Sequence, residues 1–343
     1  MAFKQPKVLF EFWRNIDMSK PRALVTRGIF DEALEMIRET VDVDLWEDEM
    51  PPSREVLLKK VKGVDGLLCL LTDKVDSELM DIAGPQLKVV SQIAVGFDNI
   101  DIPEATKRGI PVGNTPDVLT QTTADAAWAL LLAAARRIGE SERAVRSGGW
   151  RTWHPLHYLG QDVYNATLGI IGMGRIGIEV AKRSSGFNME VLYSDIYRRE
   201  DLEKEYGFKY VDLETIYKES DFISIHTVLS EETHHLISTN EFSMMKNNAV
   251  IVNAARGPIV DSKALYQALS ENKIAGAGLD VTDPEPIPVD DPLLTLENCV
   301  IVPHIASASV KTRREMSMIS AENLIRGIKG ERLLTPVNPE VYD

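Results

Sequence analysis

Three side chains suited to chemistry on a carbonyl compound stand where short apolar runs end: Arg256 after Ala249–Asn253, Glu285 in the loop beyond Gly276–Asp280, and His304 after Val300–Val302. In an open parallel α/β sheet, ligands lie just outside the carboxyl ends of the strands, so side chains placed there face a site and not a core. The guanidinium of Arg256 can grip a carboxylate through two parallel hydrogen bonds and polarise an adjacent carbonyl, as a 2-oxo acid requires. An imidazole, with an unperturbed pKa near 6.5, passes a proton at neutral pH. Glu285, stiffened between Pro284 and Pro286, can stabilise the imidazolium of His304 and fix its orientation, making the ring a proton donor to a carbonyl oxygen. Singly, each has a plainer reading: an interdomain ion pair for Arg256, a structural histidine, a solvated loop glutamate. Three successive strand ends carrying Arg, Glu and His weigh toward a site.

Reducing a carbonyl needs an electron carrier, and the chain has a place for one. Gly172-Met173-Gly174-Arg175-Ile176-Gly177 follows the apolar run Thr167–Ile171, and Asp195 lies eighteen residues beyond the last glycine. The first glycine permits a sharp turn, the second lets backbone approach a pyrophosphate, and the third lets the helix pack close to the sheet. The helix N-terminus then offers unpaired N–H groups and a partial positive charge to phosphates. Gly172, Gly174, Arg175, Ile176 and Gly177 are the expected contacts. Asp195 would accept hydrogen bonds from ribose hydroxyls and repel a 2′-phosphate, which favours NAD; Arg198 and Arg199 nearby leave NADP use open. His234 and His235 adjoin without a carboxylate or cysteine at ligand spacing, so no metal site is expected.

The elements that must hold these residues alternate. From Arg22 onward, β-like runs (Ala23–Thr26, Val41–Leu45, Gly66–Leu71, Leu87–Ser91) alternate with helical stretches near Asp76–Ala83 and Ile102–Arg108. After the glycine turn come Glu190–Ser194, Phe222–His226, a capping box Ser238-x-x-Glu241, Ala249–Asn253, a helix Asp261–Glu271, Gly276–Asp280 and Val300–Val302. Thr122–Ser147 reads as one long helix closed by Gly148-Gly149. This implies an α/β protein of two Rossmann-like domains with parallel sheets and an active site in the cleft between them. Expected boundaries are an extension at 1–20, a discontinuous substrate-binding domain of 21–119 and 305–343, and a nucleotide-binding domain of 120–304 containing a dimerisation arm at 122–166.

A chain of 343 residues with 44% apolar composition can bury two cores, and its formal charge of −14 with no Lys/Arg run longer than two argues against nucleic acid. The longest uncharged apolar stretch, Ala126–Ala135, is about half the roughly 20 residues of a membrane span, so no membrane partner is expected. Two cysteines, Cys69 and Cys299, both inside apolar runs, make no disulfide framework and suit a reducing cytoplasm.

From about Arg22 to the C-terminus the chain resembles the D-2-hydroxyacid dehydrogenases, in particular their glyoxylate/hydroxypyruvate reductase branch. The resemblance is carried by the glycine turn, Ala255-Arg256-Gly257-Pro258-Ile259-Val260-Asp261, Gly278-Leu279-Asp280-Val281-Thr282-Asp283-Pro284-Glu285-Pro286 and Pro303-His304-Ile305-Ala306-Ser307-Ala308. It implies Arg256 as substrate anchor, Glu285 as orienter of the histidine and His304 as acid/base, with Asp280 on the nicotinamide carboxamide and Ala254 and Ser307 also on the cofactor. Ala94–Asn99 resembles the substrate loop in which the N–H groups of Val95 and Gly96 receive a carboxylate; for the residues alone a plain strand-to-helix turn serves equally well. Leu71-Thr72-Asp73 resembles a second cleft loop, and Gly148–Trp153 a dimer arm carrying Trp153 toward a partner's site. The implied activity is NAD(P)H-dependent reduction of glyoxylate or hydroxypyruvate to the D-2-hydroxy acid in a homodimer. D-3-phosphoglycerate, D-lactate or 2-ketogluconate would suit the same machinery, and a nucleotide-sensing scaffold like the corepressors of this fold is the reading of another class.

Overall fold

Two parallel sheets organise the chain in the computed structural model, which describes residues 20–343. The expected extension lies outside the described residues up to position 19. One unit runs to Thr115 and resumes at Arg314; the other is Pro116–Arg313. The first holds a five-stranded sheet of order β2-β1-β3-β4-β5, with β1 Arg22–Val25, β2 Asp42–Leu45, β3 Gly66–Cys69, β4 Val89–Gln92 and β5 Val112–Gly113. The second holds seven strands in the order β12-β11-β10-β9-β6-β7-β8: β6 Thr167–Ile171, β7 Glu190–Ser194, β8 Lys209–Tyr210, β9 Phe222–Ile225, β10 Val250–Asn253, β11 Gly276–Leu279 and β12 Cys299–Ile301. β3, β9 and β10 are buried throughout, as strands covered by helices on both faces must be, and their near-continuous apolar sequences follow from it.

In each unit the strand order reverses once, and ligand crevices open at such reversals. In the second unit the switch lies between β6 and β9; in the first, between β1 and β3. Helix boundaries follow local capping: Asp76 accepts from Leu79 N, Asp101 from Glu104 N, and Asp261 from Lys263 N and Ala264 N. The capping box is present, Glu241 accepting from Ser238 N at 2.9 Å.

Three boundaries depart from expectation, the first being the crossing into the second unit, which falls at Pro116 and not at 120. The chain returns to the first unit at Arg314, not at 305, because Asp280, at the end of β11, holds residues 305 and 306 to the second unit. The stretch Thr122–Ser147 is two helices, Thr120–Ala135 and Ile138–Arg146, broken where Arg137 takes φ 49°. The break has a tertiary cause: Gln161 N donates to Ala135 O at 2.8 Å, so a distant segment caps the first helix. Trp128 anchors that helix, its indole N–H donating to Val180 O at 3.0 Å and its ring stacked on Phe187. No helix among the described residues is long and apolar enough to cross a membrane.

Candidate active site

The glycine turn forms the switch point of the second unit. Gly172 has φ 95°, and a Cβ there would stand 2.7 Å from the backbone of His226 and Thr227, which lead out of β9. At Gly177 a Cβ would meet Gly172 O at 2.1 Å, so the helix Arg175–Arg183 lies hard against its own turn. A Cβ at Gly174 would meet no protein atom within 4 Å. That glycine keeps clear the space before the helix N-terminus, where backbone donors and the helix dipole favour an anion; this cradle fits the pyrophosphate of a dinucleotide. Asp195 leaves β7 and accepts from Met173 N at 2.6 Å and from Tyr197 N at 3.0 Å, which ties it to the turn itself. Arg175 pairs with Asp117 at 2.7 Å, and Ile176 is half-buried. Arg198 is held by Glu203 through two hydrogen bonds and Arg199 by Asp201 through two more.

β10, β11 and β12 deliver the three reactive side chains. Buried Asn253, last residue of β10, accepts from Ala255 N at 3.0 Å and donates to Arg256 O at 2.9 Å, so one side chain fixes the turn that carries Ala254 and Arg256. Arg256 Nη1 donates to Ala255 O at 2.8 Å. Gly257 then lies so close to the next loop that a Cβ would stand 1.9 Å from Thr282 O, which puts the Arg256 turn in backbone contact with the segment leading to Glu285. Glu285 Oε1 and His304 Nδ1 are 2.5 Å apart.

His304 takes φ 51°, a conformation uncommon for a side-chain-bearing residue, and it is held there from below. Buried Asp280 accepts from Ile305 N at 2.7 Å and Ala306 N at 3.1 Å, while its own carbonyl accepts from His304 N at 2.9 Å. Arg313 Nη2 approaches His304 O at 3.4 Å. Burial, the largest influence, pushes the Asp280 carboxyl above its ordinary value, and the Glu285 charge adds to this against the two backbone N–H groups and His304. At Glu285 burial also pushes upward and is the largest single influence. It is outweighed by the hydrogen bond and charge attraction to His304, a hydrogen bond from the Thr282 backbone and the nearby Arg256 charge, which together hold the carboxyl below the usual range. The arrangement is a hydrogen-bonded acid/base pair beside a guanidinium. Ser307 is half-buried just beyond it.

In the first unit, Leu71 is half-buried in the turn after β3, and Val95 and Gly96 are half-buried in the loop after β4. Val95 O accepts from Asn114 Nδ2 at 2.8 Å and Gly96 O from Gln92 Nε2 at 2.5 Å, while neither residue's N–H has an acceptor among the described residues. Two adjacent backbone donors are thus left without a protein acceptor among the described residues while the carbonyls of the same residues are bonded. Trp153 is 79% exposed, in a segment where Trp150, Leu156 and Leu159 are exposed as well. Sequence reasoning did not foresee Asn253 or Arg313 as braces, nor the grip of Asp280 on residues 305 and 306. The only signal was a polar residue ending an apolar strand, which Asn253 and Asp280 share.

Residues 128–306 match the family model for the NAD-binding domain of D-isomer-specific 2-hydroxyacid dehydrogenases. The chain belongs to that family. It is 56% identical over 323 residues to the glyoxylate reductase of Korarchaeum cryptofilum, covering 94% of this chain and 97% of that one. Among solved structures it is similar to a Thermus thermophilus protein (TM-score 0.87, 43% identity, 92% of this chain and 99% of the other). It is also similar to the NADPH-dependent glyoxylate/hydroxypyruvate reductase of Sinorhizobium meliloti solved with NADP and malonate (TM-score 0.80, 33% identity, 94% and 98%).

Proposed function

We propose that this chain is an NAD(P)H-dependent reductase of small 2-oxo acids, glyoxylate or hydroxypyruvate first, yielding the D-2-hydroxy acid. The observation that carries the reading is the 2.5 Å contact between Glu285 and His304, with the Arg256 turn packed against the loop that bears Glu285. When bound, the nicotinamide dinucleotide supplies the hydride that reduces C2.

The chain does the rest. Gly172, Gly174 and Gly177, with Arg175 and Ile176 of the helix start, hold the pyrophosphate, and Asp195 receives the ribose hydroxyls. Ala254, Asp280 and Ser307 hold the nicotinamide end; a carboxylate has about four lone-pair sites, so Asp280 can serve its two backbone donors and a carboxamide together. Arg256 clamps the substrate carboxylate and draws electron density from the adjacent carbonyl. The N–H groups of Val95 and Gly96 offer that carboxylate further donors, and Leu71 supplies apolar contact. With Nδ1 engaged by Glu285, His304 presents Nε2 to the developing alkoxide and protonates it, while the Glu285 carboxylate favours the proton-carrying ring.

Similarity to glyoxylate reductases supports the substrate class, and Asp195 supports NADH as the preferred donor, with NADPH also accepted. We further infer a homodimer, in which the exposed segment around Trp153 is covered by the partner and Trp153 approaches its substrate, and a cytoplasmic setting. Steady-state NADH oxidation against glyoxylate, hydroxypyruvate, pyruvate and 2-ketogluconate tests the reading. Preference for the first two supports it, and no turnover on any would point instead to a nucleotide-binding scaffold. Sedimentation as a monomer would contradict the dimer.

A further inference from the structure

We propose that Gln92 and Asn99 are positioning residues that lock the turn after β3 and the loop after β4 of the first unit into one frame, and thereby set the affinity for the substrate's carboxylate. The proposal rests on the reading of Val95 and Gly96 as carboxylate donors given above.

The two amides form a reciprocal pair: Gln92 Nε2 lies 2.9 Å from Asn99 Oδ1, and Asn99 Nδ2 lies 2.8 Å from Gln92 Oε1. Each then reaches into a different loop. Gln92 Nε2 is 2.5 Å from Gly96 O, inside the loop after β4. Asn99 Nδ2 is 2.8 Å from Asp73 O and 3.1 Å from Leu70 O, the two carbonyls that bracket Leu71 in the turn after β3. Three acceptors around Nδ2 fix which end of the Asn99 amide points there, since a carbonyl oxygen in its place would face three others.

The turn after β3 is closed from its other side as well. Buried Asp73 accepts from Leu70 N at 2.8 Å and from Thr26 Oγ1 at 2.6 Å, which brings in the end of β1. Backbone bonds continue the link, Val75 N donating to Asn99 O and Asp101 N to Val75 O, both at 2.9 Å. The loop with the unpaired Val95 and Gly96 N–H groups is thus held by side-chain amides to the turn that presents Leu71. Gln92 is fully buried, so its hydrogen bonds do not compete with water.

A frame of this kind acts on binding geometry. The Gly96 carbonyl shares its peptide plane with the Phe97 N–H, whereas the Gly96 N–H lies in the preceding plane with the Val95 carbonyl that Asn114 holds. Releasing the Gly96 carbonyl therefore frees the far end of the loop and lets the segment carrying both donors shift against the turn after β3. The step that His304 performs is untouched, so the expected signature is a rise in KM with little change in kcat.

The test uses the full-length enzyme and the variants Asn99→Ala, Asn99→Asp and Gln92→Glu, the last two nearly isosteric so that a failure of Asn99→Ala to fold does not end the experiment. KM and kcat are measured for glyoxylate at saturating NADH, NADH affinity by fluorescence, and hydrogen–deuterium exchange over peptides spanning 66–76 and 93–102. We expect KM to rise about tenfold or more in each folded variant, with kcat within about threefold and NADH affinity unchanged. Exchange should quicken in both peptides together. Unchanged KM, a loss confined to kcat, or faster exchange in 93–102 alone would overturn the proposal. Should the wild-type enzyme reduce no 2-oxo acid, the functional reading and the carboxylate role fall together, and the exchange data still decide whether the two loops are coupled.

Discussion

Replacing Gly257 with Ala perturbs the candidate site without touching a reactive group. The new methyl would stand 1.9 Å from Thr282 O and 2.2 Å from Thr282 C, about 1 Å inside the 3.0 Å that real Cβ atoms respect, and the obstacle is backbone that cannot rotate away. Either the Arg256 turn or the segment leading to Glu285 must move by about that amount. Forcing a methyl into a packed site costs roughly 1–3 kcal/mol, and a displacement of about 1 Å at a reacting centre costs on the order of a hundredfold in rate. NADH oxidation with glyoxylate should therefore fall about a hundredfold in kcat/KM, while NADH affinity by fluorescence stays within about threefold and melting of the unit Pro116–Arg313, which holds Gly257, drops by several degrees, roughly 2–4 °C per kcal/mol for a unit of that size. A variant with wild-type melting and kcat/KM within about threefold of wild type would refute the claim that this contact sets the geometry.

Gly174 supplies the contrast: with no protein atom within 4 Å of its Cβ position, Gly174→Ala should leave melting unchanged and weaken NADH binding about tenfold or more, measured by fluorescence titration. Asp195→Ala should raise the NADPH-to-NADH ratio of kcat/KM about tenfold or more, and an unchanged ratio would show that Asp195 does not choose the cofactor. Glu285 is held below its ordinary carboxylate value in the folded protein, so the stability it contributes is present above the unfolded value, about 4.3, and is lost as pH falls through the lower folded value. Melting of wild type and Glu285→Gln should accordingly differ at pH 6 and converge toward pH 3. A gap that widens with acid contradicts the pairing; the group is 42% exposed, so the gap is small.

Much of this architecture was legible because its signals are local. Apolar runs such as Gly276–Asp280 and Val300–Val302 announce strands, the glycine turn announces the switch point, and Ser238-x-x-Glu241 announces a helix. The same strand-end logic singles out Arg256, Glu285 and His304 as candidates, and the structure brings Glu285 within 2.5 Å of His304. What escaped depends on distant partners. The break at Arg137 is set by Gln161 crossing the helix end, and Ala- and Leu-rich sequence carries no trace of it. The two-residue strands β5 and β8 are too short to show a period. Asp280 was read as a cofactor ligand, and its grip on residues 305 and 306 appears only once β11 and β12 are paired side by side. The Gln92–Asn99 pair is likewise invisible until the loop after β4 folds back on itself.

The most direct test of the central claim is a single turnover of NADH-loaded enzyme mixed with glyoxylate, followed by loss of NADH fluorescence in wild type and in His304→Asn. Asparagine tolerates the left-handed backbone that His304 adopts, so the substitution removes the ring and spares the loop. If His304, oriented by Glu285, supplies the proton, the rate falls about a hundredfold or more while NADH affinity is unchanged; turnover in the variant at close to the wild-type rate would contradict the account.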